Sequence, residues 1–103
     1  MSTDIEEIVN IEEVTDNKLK EPKKYKVLVY NDDFTTIEFV ISLLMTIFKH
    51  SQNSAVELTK RVHNEGKAIA GIYSYEIAEQ KVLDATNISR ANNYPLVLRA
   101  LPE

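Results

Sequence analysis

Tyr25-Lys26-Val27-Leu28-Val29-Tyr30-Asn31-Asp32-Asp33-Phe34-Thr35-Thr36-Ile37-Glu38-Phe39-Val40 is the stretch that decides how this chain folds. Its first six residues are rich in β-branched and aromatic side chains, begin shortly after Pro22 and stop at Asn31-Asp32-Asp33, residue types that favour turns, so they read as a strand. Thr35 and Glu38 then have the spacing of a capping box. Ile37, Val40, Ile41, Leu44 and Phe48 recur at helical intervals, which predicts a helix from about residue 36 to about residue 49.

Further along, Ser54 and Glu57 form a second capping-box pattern, followed by Ala55, Leu58, Thr59, Val62 and His63, with Gly66 as a helix stop; a short second helix is expected. Ala68-Ile69-Ala70-Gly71-Ile72-Tyr73 reads as a second strand. Ser74 can cap a third helix with an inner stripe of Ala78, Val82, Ala85 and Ile88, ended by Asn92-Asn93. Pro95 precedes a last strand, Leu96-Val97-Leu98-Arg99-Ala100-Leu101, which the proline assigns to an edge or rim. The order is β-α-α-β-α-β. The economical packing is a single small α/β (α+β) domain, a three-stranded sheet covered by helices on one face.

The chain has 103 residues, 44% hydrophobic and 27% charged, the profile of one globular domain. No apolar run approaches the roughly 18 residues of a bilayer span. Absence of cysteine removes disulfides, thiolate nucleophiles and Cys-ligated metal sites. A net charge of −4 gives no support to nucleic-acid binding. The charge is uneven: residues 1–21 hold seven acids against two lysines, a net −5, while the remainder carries +1. All eight aromatics lie from Tyr25 to Tyr94. Residues 1–22 are therefore expected to form a disordered N-terminal arm, with Ile5, Ile8, Val9, Ile11 and Val14 either scattered in a solvated tail or docking on a partner, and residues 23–103 to form the domain. No Lys or Arg precedes Lys18, unlike a signal or transit peptide, so a cytoplasmic protein is expected.

Catalytic signatures are missing: the sequence has no G-x-S-x-G, no H-E-x-x-H and only two glycines with which to cradle a phosphate. The polar residues with chemical potential are Asn31, Asp32, Asp33 and His63. Asn31-Asp32-Asp33 taken alone is a solvated turn leading into a helix. His63 follows Thr59 by one turn beside Val62, as a partly buried structural histidine would, and His50 reads as a surface histidine. Convergence of Asp32, Asp33 and His63 on a divalent metal, as in a small hydrolase, is the alternative for a catalytic protein. Patterns and spacing leave these readings open.

Residues 25–35, Glu38-Phe39-Val40, Val62-His63-Asn64-Glu65-Gly66-Lys67-Ala68, Gly71, Glu76-Ile77-Ala78-Glu79, Lys81-Val82 and Tyr94-Pro95-Leu96 together resemble the signature of the ClpS family, adaptors of ATP-dependent Clp proteases. The resemblance covers about residues 24–101. It implies a small α/β domain behind a mobile N-terminal arm, no catalytic activity and no cofactor. It also implies a protein that binds substrates beginning with a bulky hydrophobic residue (N-degrons of the N-end rule) and hands them to a Clp AAA+ unfoldase of the ClpA or ClpC type.

By position, the resemblance assigns Asn31, Asp32 and His63 to the substrate's α-amino group, and Thr35, Thr36, Ile37, Val40, Thr59, Val62 and Leu96 to the side-chain pocket. Glu76 and Lys81 fall on the face that docks onto the unfoldase's N-terminal domain. The arm before Pro22 matches the extension engaged during transfer. The implied protein is a monomer in the bacterial cytoplasm, or in a plastid stroma, without nucleic-acid or membrane partners. Three pocket positions depart from the family's usual residues: Thr36 for Pro, Ile37 for Met at the gate and Thr59 for a long apolar residue. These leave the size and polarity of the pocket open, since Ile is stiffer than Met and Thr59 brings a hydroxyl. The alternative from another class is an interaction domain of the ribosomal-stalk type, which shares the element order but has no evident need of Asn31-Asp32-Asp33 with His63.

Overall fold

The first strand of the sequence lies at the centre of the sheet. In the computed structural model, which describes residues 22–103, β1 (Tyr25–Tyr30) is flanked by β2 (Lys67–Tyr73) and β3 (Val97–Pro102), both antiparallel to it, in the order β2-β1-β3. Between the strands run α1 (Ile37–Thr46), α2 (Gln52–Glu65) and α3 (Tyr75–Ala91). The arm expected over residues 1–22 lies outside the described residues except for Pro22.

Val27 and Val29 of β1, Ala68 and Ala70 of β2, and Leu98 of β3 share one core with Val40, Leu43, Leu44 and Phe48 around α1, Ala55, Leu58 and Val62 of α2, and Ala78 and Ala85 of α3. The alternation of β1 is thus used on its helix-covered face. A β-bulge sits opposite Val27 and Leu28, where Ala70 is the extra residue of β2. The next residue is Gly71, and a Cβ there would collide with the Tyr73 ring, which folds back over it.

Helix boundaries differ from the capping-box reading for one physical reason, competition for hydroxyls. Thr35 is not the first cap, because its Oγ1 donates to Asp32 Oδ2 at 2.8 Å; Thr36 caps instead, accepting from the Phe39 N–H. α1 ends at Thr46, and Lys49 takes a left-handed φ of 60° that no helix continues. α2 starts earlier than expected. Ser51 is its cap, accepting from the Ser54 N–H at 3.2 Å, and the Ser54 hydroxyl pairs with His50 Nδ1 at 2.9 Å.

His50 is therefore not a surface residue. Its Nε2 stands 2.6 Å from the Ala70 carbonyl, which can only accept, so Nε2 carries a proton, while Nδ1 pairs with the Ser54 hydroxyl. In α3, Ser74 takes the N-cap position without a side-chain cap bond. Its inner stripe differs at one place: Ile88 is 39% exposed, and Ser89 is buried instead, with its hydroxyl donating to the Ala85 carbonyl. Asn92 and Asn93 end the helix, Asn93 at φ 65°. β3 lies at a sheet edge, as Pro95 implied, and begins at Val97 rather than Leu96.

Candidate functional site

The turn after β1 is built around one carboxylate. Asp32 Oδ1 accepts from the Phe34 and Thr35 N–H groups at 2.8 and 2.7 Å, and its Oδ2 takes the Thr35 hydroxyl. Burial alone would raise the Asp32 pKa. The Thr35 N–H and hydroxyl, the Phe34 N–H and the positive Arg90 outweigh it and hold the carboxyl below its ordinary value. Asp32 is therefore a carboxylate at neutral pH. Asn31 is pinned from the other side, its N–H donating to the Gly66 carbonyl at 2.9 Å. Gly66 sits at φ 92° as the C-cap of α2, so the end of β1 and the end of α2 are tied together.

Between that turn and the C-terminal half of α2 lies a cavity of about 220 Å³. Thr59, Val62 and His63 reach it from positions i, i+3 and i+4 of α2, one helix face. Ile37 and Val40 reach it from α1, and Asn31, Asp32, Asp33 and Thr35 from the turn. Val40, Thr59 and Val62 are buried and form an apolar floor. Asn31, Asp33 and His63 are exposed, Asp32 is half-buried, and Ile37, 51% exposed, stands at the mouth. A cavity with apolar depth and convergent acceptors at its rim suits a ligand that is a cation at one end and a hydrocarbon at the other.

The structure brings together eight of the residues expected around the pocket: Asn31, Asp32, His63, Thr35, Ile37, Val40, Thr59 and Val62. His63 is exposed on the rim, not a partly buried structural histidine. Thr36 and Leu96 do not line the cavity. Thr36 caps α1, and its hydroxyl reaches the Tyr94 hydroxyl at 3.4 Å; Leu96 is 1% exposed and belongs to the core. Thr59 brings its hydroxyl to the cavity wall already engaged. Its hydroxyl donates to the Ala55 carbonyl of its own helix at 2.7 Å, so the group is satisfied within α2.

Glu76 and Lys81 lie on α3, away from this cavity. Glu76 is exposed in the first turn, whereas Lys81 is half-buried, donating to the Ile47 carbonyl at 2.8 Å beside the rings of Phe48 and Tyr73. Among the described residues, no group of three His, Asp or Glu side chains is placed to hold a metal ion. Arg90 escaped the sequence reading. It donates to the Tyr94 and Leu96 carbonyls at 2.9 and 2.8 Å, bracing the Tyr94-Pro95-Leu96 turn while stabilising the charge of Asp32. A basic residue in a last helical turn carries no sequence signal for that double duty.

Fold and site together define a small single-domain binding protein with a cavity beside the turn after β1. The profile of the ATP-dependent Clp protease adaptor protein ClpS matches residues 20–99. The chain is 41% identical over 92 residues to the ClpS adapter of Shewanella pealeana, covering 89% of this chain and 90% of that one. It is 44% identical over 82 residues to that of Clostridium acetobutylicum, covering 80% and 81%. The structure of Agrobacterium tumefaciens ClpS2 bound to L-phenylalaninamide superimposes with a TM-score of 0.78 at 34% identity, covering 81% of this chain and all of that one. The chain belongs to the ClpS family: it is a Clp protease adaptor and not an enzyme. Membership displaces both the ribosomal-stalk and the hydrolase alternatives.

Proposed function

We propose that this adaptor holds proteins by a free N-terminal residue with a large apolar side chain and delivers them to a Clp AAA+ unfoldase. The observation that carries the reading is the cavity in which Asn31, Asp32 and His63 rim a floor made by Val40, Thr59 and Val62. An α-ammonium offers three donors and a positive charge; a carboxylate, an amide oxygen and a neutral imidazole nitrogen are acceptors. Burying one large apolar side chain beside them adds about 1.5 to 3 kcal/mol. The molecule bound to A. tumefaciens ClpS2, L-phenylalaninamide, has that chemistry: a free amine next to an aromatic side chain.

In this reading Glu76 and Lys81 contribute to the face that meets the unfoldase's N-terminal domain, of the ClpA or ClpC type, and residues 1–22 are the segment engaged during transfer. The adaptor works as a monomer in the bacterial cytoplasm. The test is a fluorescence titration with peptides beginning in Phe or Leu, free and N-acetylated. Acetylation removes the charge, and the loss of a charge-assisted bond predicts at least a roughly tenfold weaker complex. Equal affinities would sink the proposal.

A further inference from the structure

Alongside the amine-binding cavity, the groove between α1 and α2 holds another, of about 210 Å³. Ile37, Ile41, Val56 and Thr59 form most of its walls, with Lys60 and His63 among the residues at its edge. It shares Ile37, Thr59 and His63 with the first cavity, so these side chains are the partition between the two. Ile41, Val56 and Lys60 line only the second. Its walls are mostly hydrocarbon, and the one formal charge among its lining residues is the ammonium of exposed Lys60.

We propose that this second cavity takes the side chain of the third residue of the bound peptide and favours an apolar one there; the inference rests on the reading of the first cavity as the seat of residue one. Side chains i and i+2 of an extended chain leave the same face about 6.6 Å apart, a spacing suited to two cavities separated by one layer of side chains. Residue two then points to the opposite side, into solvent. Lys60 at the edge repels a Lys or Arg at position three. The chain thus reads two residues of the substrate, one by its amine and side chain and a later one by side chain alone.

The test uses the full chain and peptides that all begin with Leu, with Gly, Leu or Lys placed at position two or three. Leu at position three is expected to bind roughly tenfold tighter than Gly. At position two the three residues are expected to bind alike, and Lys at position three no better than Gly. Val56→Phe, which fills the second cavity without touching the first, should erase the Leu advantage. Lys60→Glu, an exposed change that spares the core, should make Lys at position three bind severalfold better than before. Equal affinity for Gly and Leu at position three overturns the inference, as does a preference that moves to position two or survives Val56→Phe. An N-acetylated control separates the two readings: if acetylation is without effect the function proposal fails, whereas if only the position-three series is flat the second cavity alone is misassigned.

Discussion

Asp32 carries three hydrogen bonds from its own turn and still faces the cavity, so its charge serves both the fold and the ligand. Its pKa lies below the ordinary value in the folded protein, and the unfolded chain therefore binds protons more readily than the native state as pH falls. The stability it contributes is present above the unfolded value of about 3.9 and is lost as pH drops through the folded value. Acid titration of the unfolding midpoint is expected to show a drop below about pH 4 that Asp32→Asn reduces. The same variant keeps an acceptor for the backbone but removes the charge that meets the ammonium, and peptide affinity should fall about tenfold or more at neutral pH. Ile37 poses a separate question at the mouth. A branched Cβ is stiffer than the thioether chain of Met, so Ile37→Met is expected to raise affinity for a Trp-initiated peptide relative to a Leu-initiated one by about tenfold in a competition assay. Thr59 contributes less to selectivity than its residue type suggests, because its hydroxyl is bonded within α2. That bond was not legible in the sequence: nothing in a Thr says whether its hydroxyl faces a pocket or its own helix.

At the scale of elements, every strand and helix was legible, because period-two and period-3.6 patterns survive any detail of side-chain bonding. Their ends were not, since each misplaced cap traces to a hydroxyl claimed by a third group, Thr35 by Asp32 and Ser54 by His50. Eight of the pocket positions carried over by family resemblance line one cavity. The other two have other places in this chain, Thr36 as the cap of α1 and Leu96 in the core. The joint between α2 and β1 is the element-level feature on which the site depends. Gly66 at φ 92° accepts from Asn31, three residues beyond His63. Gly66→Ala is expected to cost about 1 kcal/mol or more, because Ala at positive φ is strained. Thermal denaturation should report that loss. Peptide affinity should fall as well, because the same strain shifts both Asn31 and the end of the helix that presents His63, whereas a purely structural joint would leave affinity untouched.

For the whole molecule, the first cavity draws on residues from Asn31 to His63 and its support on Gly66 and Arg90. The described lining of that cavity begins at Asn31. Deleting residues 1–21 is therefore expected to leave peptide affinity within about twofold, the range of a surface change. The proposed role of that segment in transfer predicts slower degradation of a model substrate by the Clp complex, and normal degradation would reduce it to a solubilising tail. Charge asymmetry marked the segment in the sequence. What it contacts was not legible, because contact depends on a partner surface that the chain does not contain.

The Glu103 N–H donates to the Lys24 carbonyl at 2.9 Å, and Tyr25 pairs with Pro102, so the first and last described strands start and stop side by side. In kinetic terms this is the costliest pairing in the chain, a loop of nearly the whole domain that must close before the central strand gains its second neighbour. A tight turn joining residues 103 and 24, with the chain reopened between α3 and β3, would convert that pairing into a hairpin. The native contacts of the sheet would be retained while the search for them became local, so the rearranged chain would reach the same folded adaptor faster.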